Sequence, residues 1–325
     1  MATSLEMQGW AFGNGYEHTV EVGRMLAYLA SGGASGVVAA PDLKVTPLDV
    51  PGGGVRVMPG AAVIASTYGG GGQQSYAARM PVAGDVDIPA TSSAGARTDL
   101  IVARVEDPQY AGDLPGVRIE RIGSVPVTTS TAAELGLPYP AVALARVTLP
   151  ASTGTVQAAH ITDLRRMASP RRVAGQATVF PTGNAAEGTA YQIPQGGSYA
   201  AWPIRSGDRP VVFVPEWATR LSMVVHLSGV LYTGNQASVA GTRVGIGSTW
   251  SQNGIIKEED DDGSYSNSGK RVHYTMLGDI ALEAPRRGTY QTLNVQAMRT
   301  AGSGLWWADY QSAIGIQWAF DEEPI

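Results

Sequence analysis

The chain has 325 residues, of which 44% are hydrophobic and only 16% charged, enough for two globular domains or one domain and an extended arm. Its net charge of −5 argues against a nonspecific grip on nucleic acid, which needs a basic face to release counterions from phosphate. Cysteine is absent, which excludes disulfides, thiolate metal sites and a cysteine nucleophile, while no signal-peptide pattern or bilayer-length apolar run leads one to expect export or membrane insertion.

Residues 1–40 form an N-terminal attachment segment with one amphipathic helix: Val22, Met25, Leu26 and Leu29 recur at helical spacing, and Gly32-Gly33 follows as a stop. The stripe packs on its own domain or docks on a neighbouring subunit, and the sequence leaves both open. From 41 to 170 a β domain is expected. Residues 53–64 alternate like a strand broken at Pro59-Gly60, and residues 99–105 are a β-branched run of strand length. Residues 117–123 alternate apolar with charged side chains, giving one buried and one wet face. Between these two runs, Asp107-Pro108 and residues 112–116 supply turn chemistry, which predicts an antiparallel hairpin with a long connection. A strand over residues 139–149 follows. Asp163 and Arg165 then close the unit as a structural clasp, since an aspartate two residues from an arginine caps local backbone or pairs with its planar guanidinium.

The order of these elements resembles the N-terminal domain of upper-baseplate and minor tail proteins of long-tailed, siphovirus-like bacteriophages. The segments concerned are Pro59-Gly60-Ala61-Ala62-Val63, Tyr68, Arg97-Thr98-Asp99-Leu100-Ile101-Val102-Ala103-Arg104, Ala143-Leu144-Ala145-Arg146-Val147 and Ile161-Thr162-Asp163-Leu164-Arg165. The resemblance covers residues 35–170 and departs from the pattern at Gly69 to Gly72 and at Thr98. It implies a structural virion protein, assembled in the host cytoplasm as a homotrimer among other phage tail or baseplate proteins. A chain without thiols suits both the reducing cytosol and the life of a virion outside it.

Residues 171–210, rich in Pro, Gly and Gln, are expected as a linker and lead-in, with the domain boundary at residues 169–175. Candidate strands at 211–215, 220–232, 241–247, 271–282, 289–299 and 313–320 then predict a C-terminal antiparallel β-sandwich, jelly-roll-like, at 211–325. The fold class is therefore mainly β: an N-terminal helix plus β domain, followed by the sandwich.

Catalytic chemistry finds no foothold. His18, His160, His226 and His273 show no metal-ligand spacing, and His226 reads as a structural or interfacial side chain within a strand. Gly69 to Gly72 lacks the lysine and Ser/Thr of a phosphate loop and reads as a flexible tip. Gly245-Ile246-Gly247-Ser248-Thr249 lacks the strained turn of a serine nucleophile. No enzyme activity, cofactor or metal is expected. The acidic run Glu258 to Asp262 is a solvated loop tip, with Asp260 and Asp262 as the ligands if calcium binds there.

Aromatic residues concentrate in the second region: Trp202, Trp217, Trp250, Trp306, Trp307 and Trp318, with Tyr232, Tyr265, Tyr274, Tyr290 and Tyr310. Trp250, Trp306, Trp307 and Tyr310 are the candidate glycan or interface contacts, because an indole stacks on the C–H face of a sugar and adjacent strand residues point to opposite faces. The expectation is a structural component of a phage tail tip or baseplate that projects its sandwich toward the host surface. The alternative is a dedicated carbohydrate- or receptor-binding module for a cell-wall glycan. A cell-wall depolymerase stands third, since the sequence nominates no pair of acids for it.

Overall fold

The computed structural model describes residues 19–188, 190–234, 237–258 and 269–325. It divides the chain into two units, one from the residues up to Pro170 together with Glu323–Ile325, the other from Arg171–Glu322. The expected mainly-β architecture with one N-terminal helix is what the described residues adopt.

Helix α1 (Val20–Ser31) stops where expected: Gly32 is left-handed at φ +60°, and the Gly33 N–H returns to the Tyr28 carbonyl at 2.9 Å. A side chain at 33 would meet the Tyr28 ring at 2.7 Å, so glycine is needed there. The helix packs on its own unit, but the apolar stripe does not run its full length. Val22 is buried, Leu29 is 64% exposed, and the anchor is Arg24. The Arg24 guanidinium pairs with Asp107 at 2.6 Å, donates to Gln109 at 2.7 Å and lies 5.0 Å from the Tyr76 ring centre. A charged tip with an apolar stem does what Leu29 was expected to do.

Ten strands follow in the first unit: β1 (Gly36–Val37), β2 (Val45–Pro47), β3 (Gly54–Val57), β4 (Gly60–Ala65), β5 (Ser75–Met80), β6 (Gly84–Asp87), β7 (Arg97–Asp107), β8 (Ala111–Ile122), β9 (Ala141–Leu149) and β10 (Ile161–Asp163). They form three antiparallel sheets ordered β1-β4-β5, β2-β3-β6 and β10-β9-β7-β8. The Pro59-Gly60 break sends β3 and β4 to different sheets. Strand β7 is buried on both faces: Ile101 and Ala103 join the main core, while Leu100 and Val102 face a second cluster with Val125 and Ala132. This is why its sequence is a continuous apolar run rather than an alternating one.

The β7–β8 connection is shorter than expected. Glu106 pairs with Gly116 and Asp107 with Ala111, so the intervening residues sit in an irregularity of the ladder and only Pro108 to Tyr110 form the loop. Asp107 closes it by accepting the Gln109 N–H on its side chain and the Tyr110 N–H on its carbonyl.

Beyond β10, Arg165 is fully buried, and all five of its side-chain N–H groups have acceptors. Nε and Nη2 bind the Asp163 carboxylate at 3.0 and 2.7 Å, Nη1 binds the carbonyls of Ala40 and Asp42 at 3.0 and 2.7 Å, and Nη2 also reaches the Ile325 carbonyl at 2.8 Å. The clasp residues thus meet each other and three backbone carbonyls distant in sequence.

The second unit contains β11 (Arg172–Val179), β12 (Tyr191–Gln192), β13 (Ala200–Ala201), β14 (Val211–Val214), β15 (Arg220–Thr233), β16 (Ser238–Ile246), β17 (Thr249–Trp250), β18 (Gly254–Glu258), β19 (Lys270–Ala281), β20 (Thr289–Gly302), β21 (Leu305–Ala308) and β22 (Ala313–Asp321). One sheet runs β11-β22-β15-β21-β12 with β19 on β15, and the other β13-β20-β16-β17 with β14 on β20 and β18 on β16. They share one core that includes Trp202, Leu221, Tyr232, Val244, Val295, Trp306 and Phe320, which makes the unit a β-sandwich. The segment 171–210 is not a linker. Its β11 pairs along its whole length with β22, and β12 and β13 join the two sheets, because buried apolar residues such as Ile193, Trp202 and Ile204 draw a Pro/Gly-rich stretch into the core.

Replacing Arg165 by Met would remove a donor from the Ala40, Asp42 and Ile325 carbonyls and from the Asp163 carboxylate. The expected result is a loss of about 2–4 kcal/mol in stability, read as a lower urea midpoint for the full chain. Arg165→Lys should recover only part of it, because an ammonium lacks the planar fork.

Candidate functional site

Strand β16 turns Ala240, Val244 and Ile246 into the core, so Gly241, Arg243 and Gly245 occupy the opposite face of the sheet. A side chain at 241 would come within 2.5 Å of the Tyr199 hydroxyl, and one at 245 within 2.6 Å of the Trp250 ring. Two glycines flanking an arginine therefore let an aromatic ring approach the bare backbone on each side of it. The Arg243 guanidinium lies 4.3 Å from the ring centre of Tyr199 and 4.3 Å from that of Trp250. Its Nε and Nη2 donate to Oε1 of Gln296, its cross-strand partner, at 2.9 and 2.7 Å. Among the described residues it makes no ion pair. Ile255, paired with Gly241, is 75% exposed beside it.

The sequence-predicted aromatic set does not assemble into one surface. Trp250 was expected in an exposed loop, but it lies half-buried on the short strand β17, paired with Gly245. Trp306 is no surface contact: it is fully buried in the core, so the alternation along β21 places Trp306 inward and Trp307 on the other face. The Trp306 N–H donates to Tyr274 at 2.9 Å, whose hydroxyl donates to Glu258 at 2.6 Å. Lys270 closes the chain at 2.6 Å from the other Glu258 oxygen. Burial, together with the carboxylate acceptor, pushes the Tyr274 hydroxyl well above the ordinary tyrosine range. Trp307 is half-buried and donates to Thr233 at 3.0 Å, and Tyr310 is 57% exposed. Trp250 thus belongs to one sheet of the sandwich, and Trp306 and Trp307 to the other.

The sequence reading missed Arg243 and Tyr199. The signal was the Gly-x-Arg-x-Gly alternation of 241–245, which on a strand clears backbone on both sides of one outward side chain.

The remaining candidates are structural or separate. His160 accepts the Gln157 N–H at 3.2 Å, His226 lies 3.2 Å from the Thr275 hydroxyl on an exposed sheet face, and His273 is exposed; His18 lies outside the described residues. Asp260 and Asp262 also lie outside them, and Glu258 is engaged as above. Among the described residues no group of three or more His, Asp or Glu is placed to hold a metal, and no helix is long and apolar enough to cross a membrane. An open depression of about 460 Å³ lies on β11-β22-β15, with Arg172, Gln176, Ser222, Val224, Gln317 and Trp318 among its lining residues and no carboxylate.

No family model and no curated protein matches the chain. Among solved structures it is similar to infectious bursal disease virus Gx strain, at 13% identity over 88% of this chain and 69% of that one, with a TM-score of 0.26. It is similar to the VP2 subviral particle of the same virus at 12% identity, 90% and 73% coverage and TM-score 0.22. The insecticidal delta-endotoxin Cry8Ea1 of Bacillus thuringiensis matches at 10% identity, with 87% and 51% coverage and TM-score 0.24. At these TM-scores the likenesses carry no argument about function.

Next to Tyr310, Asp309 is buried and held by Arg271 through two bonds of 2.6 and 2.8 Å. Burial pushes its carboxyl up, but the bonds from Arg271, the Gln311 N–H and Ser312 prevail and hold it below the ordinary range. A carboxyl depressed in the folded state stabilises above its unfolded value and stops doing so as pH falls through the folded one. Asp309→Asn should therefore lower stability at neutral pH and flatten its decline below about pH 4, measured by thermal melting across pH.

Proposed function

We propose that the protein is a structural component of a virion, of the tail-tip or baseplate kind, in which the sandwich serves adhesion to the host surface. The observation that carries this reading is the use made of the segment 97–166, which holds three of the five segments on which the resemblance rests. Its strands form a single four-stranded sheet, and its polar residues lock backbone. Asp99 is buried between Arg97 at 2.9 Å and Arg121 at 3.3 Å, and Arg165 holds Asp163 and three carbonyls. Residues committed to such locks support a scaffold rather than a catalyst. A homotrimer seated among other tail proteins follows from the same resemblance. Light scattering on the full chain should give close to three times 33.9 kDa; a monomer would remove the trimer from the proposal.

A dedicated carbohydrate-binding module is the second reading, and the Tyr199, Arg243 and Trp250 arrangement favours it. It is compatible with the first. Trp250→Ala should weaken binding to host cell-wall glycan by about tenfold, the loss expected when a stacking ring is removed, as measured by pull-down on purified wall. The depolymerase reading finds less support, because the open depression on β11-β22-β15 presents no acid. Incubation with wall glycan should release no new reducing ends.

A further inference from the structure

We infer that Arg243 is the recognition point for the carboxylate of an acidic saccharide, an inference that rests on the adhesive reading above. Some cations of this unit are ion-paired, as Arg172 is with Asp321 at 3.1 Å, Arg271 with Asp309 at 2.6 Å, Lys270 with Glu258 at 2.6 Å, and Arg220 with Asp279, while Arg209, Arg286, Arg287 and Arg299 bind neutral side chains or backbone carbonyls. Arg243 is set apart by the two aromatic rings, Tyr199 and Trp250, that lie against its guanidinium. In a chain of net charge −5, a guanidinium is held without a carboxylate partner among the described residues, positioned by a neutral amide and two aromatic rings. Cation–π contact stabilises the charge while neutralising none of it.

The donor geometry narrows the ligand. Nε and Nη2 share Oε1 of Gln296, which leaves Nη1 and the second Nη2 hydrogen as the unassigned edge. Two parallel N–H groups in one plane match a carboxylate, and a planar carboxylate continues the guanidinium plane between flanking rings. Trp250, Tyr199 and the exposed Ile255 offer apolar surface for the C–H face of a sugar ring, while Gln252 and Asn253, exposed just beyond β17, offer neutral partners for hydroxyls. Charged and apolar demands on one ligand describe a uronic acid better than a neutral sugar.

The test uses the full-length protein and isothermal titration with an oligogalacturonate, its fully methyl-esterified form, a glycerol-phosphate polymer and poly-glutamate. The expected result is binding of the oligogalacturonate, about tenfold or more weaker binding of the neutral ester, and a similar loss for Arg243→Gln, as for a charge-assisted bidentate contact. Affinity should also fall with added salt. His226→Ala, on the other sheet, should leave it unchanged. Equal binding of acid and ester would overturn the carboxylate assignment while leaving the adhesive reading intact. A preference for the glycerol-phosphate polymer would overturn it in favour of phosphate. Binding of poly-glutamate alone would overturn the saccharide, and the glycan reading with it. The acid-versus-ester comparison needs no variant, so the inference stays open to refutation even if Arg243→Gln fails to fold.

Discussion

A guanidinium taken out of water must find an acceptor for each of its five N–H groups, and at Arg165 every one is found within the first unit. The acceptors come from Asp163 two residues away, from the Ala40 and Asp42 backbone at the head of the domain, and from Ile325 at the end of the chain. One side chain thereby fixes three segments remote in sequence, and the sheet β10-β9-β7-β8 ends against it. The same economy recurs at Asp99, which is 1% exposed and bound by Arg97, Arg121 and the Ser124 N–H, and at Asp107, which gathers Arg24, Tyr76 and its own loop. In a chain with few charges, these paired ones define shape. Arg243 is held differently, by a neutral amide and two aromatic rings.

Regular alternation and punctuation were legible. Six strands of the second unit, β14, β15, β16, β19, β20 and β22, fall where the sequence placed them, the short β17, β18 and β21 were not foreseen, and the Gly32-Gly33 stop ends the helix. Polar spacing at 163 and 165 pointed to a contact, because two residues apart is within reach of a side chain folding back on its own turn. What failed had a common cause: composition was read as conformation. The stretch 171–210 is rich in loop-forming residues, yet β11 pairs with a strand nearly 150 positions later, a partner that no local window contains. Likewise Gly112 to Gly116 looked like a turn, whereas β7 and β8 are long enough to absorb those residues as a ladder irregularity.

The site was half legible for a similar reason. Tryptophan and tyrosine announce themselves by size, and Trp250 was nominated on that basis. Whether a ring faces water depends on strand parity and on the opposing sheet, which separated Trp306 in the core from its neighbour Trp307. Arg243 was overlooked because an isolated arginine in a strand carries no signal until the glycines on either side of it are read as absences, places where a neighbour's ring replaces a side chain.

The first and last strands of the sandwich, β11 and β22, are neighbours, with Arg172 opposite Asp321 and Arg171 bound to Glu322 at 2.6 and 2.7 Å. The chain therefore enters and leaves this unit at a single corner. Tension drawn between those two ends would load the β11–β22 ladder as a zipper, one pair of hydrogen bonds at a time, beginning at the two arginine–carboxylate pairs. Those pairs act as the rivets of a seam, and the sandwich resists being pulled open at its root only as well as they hold.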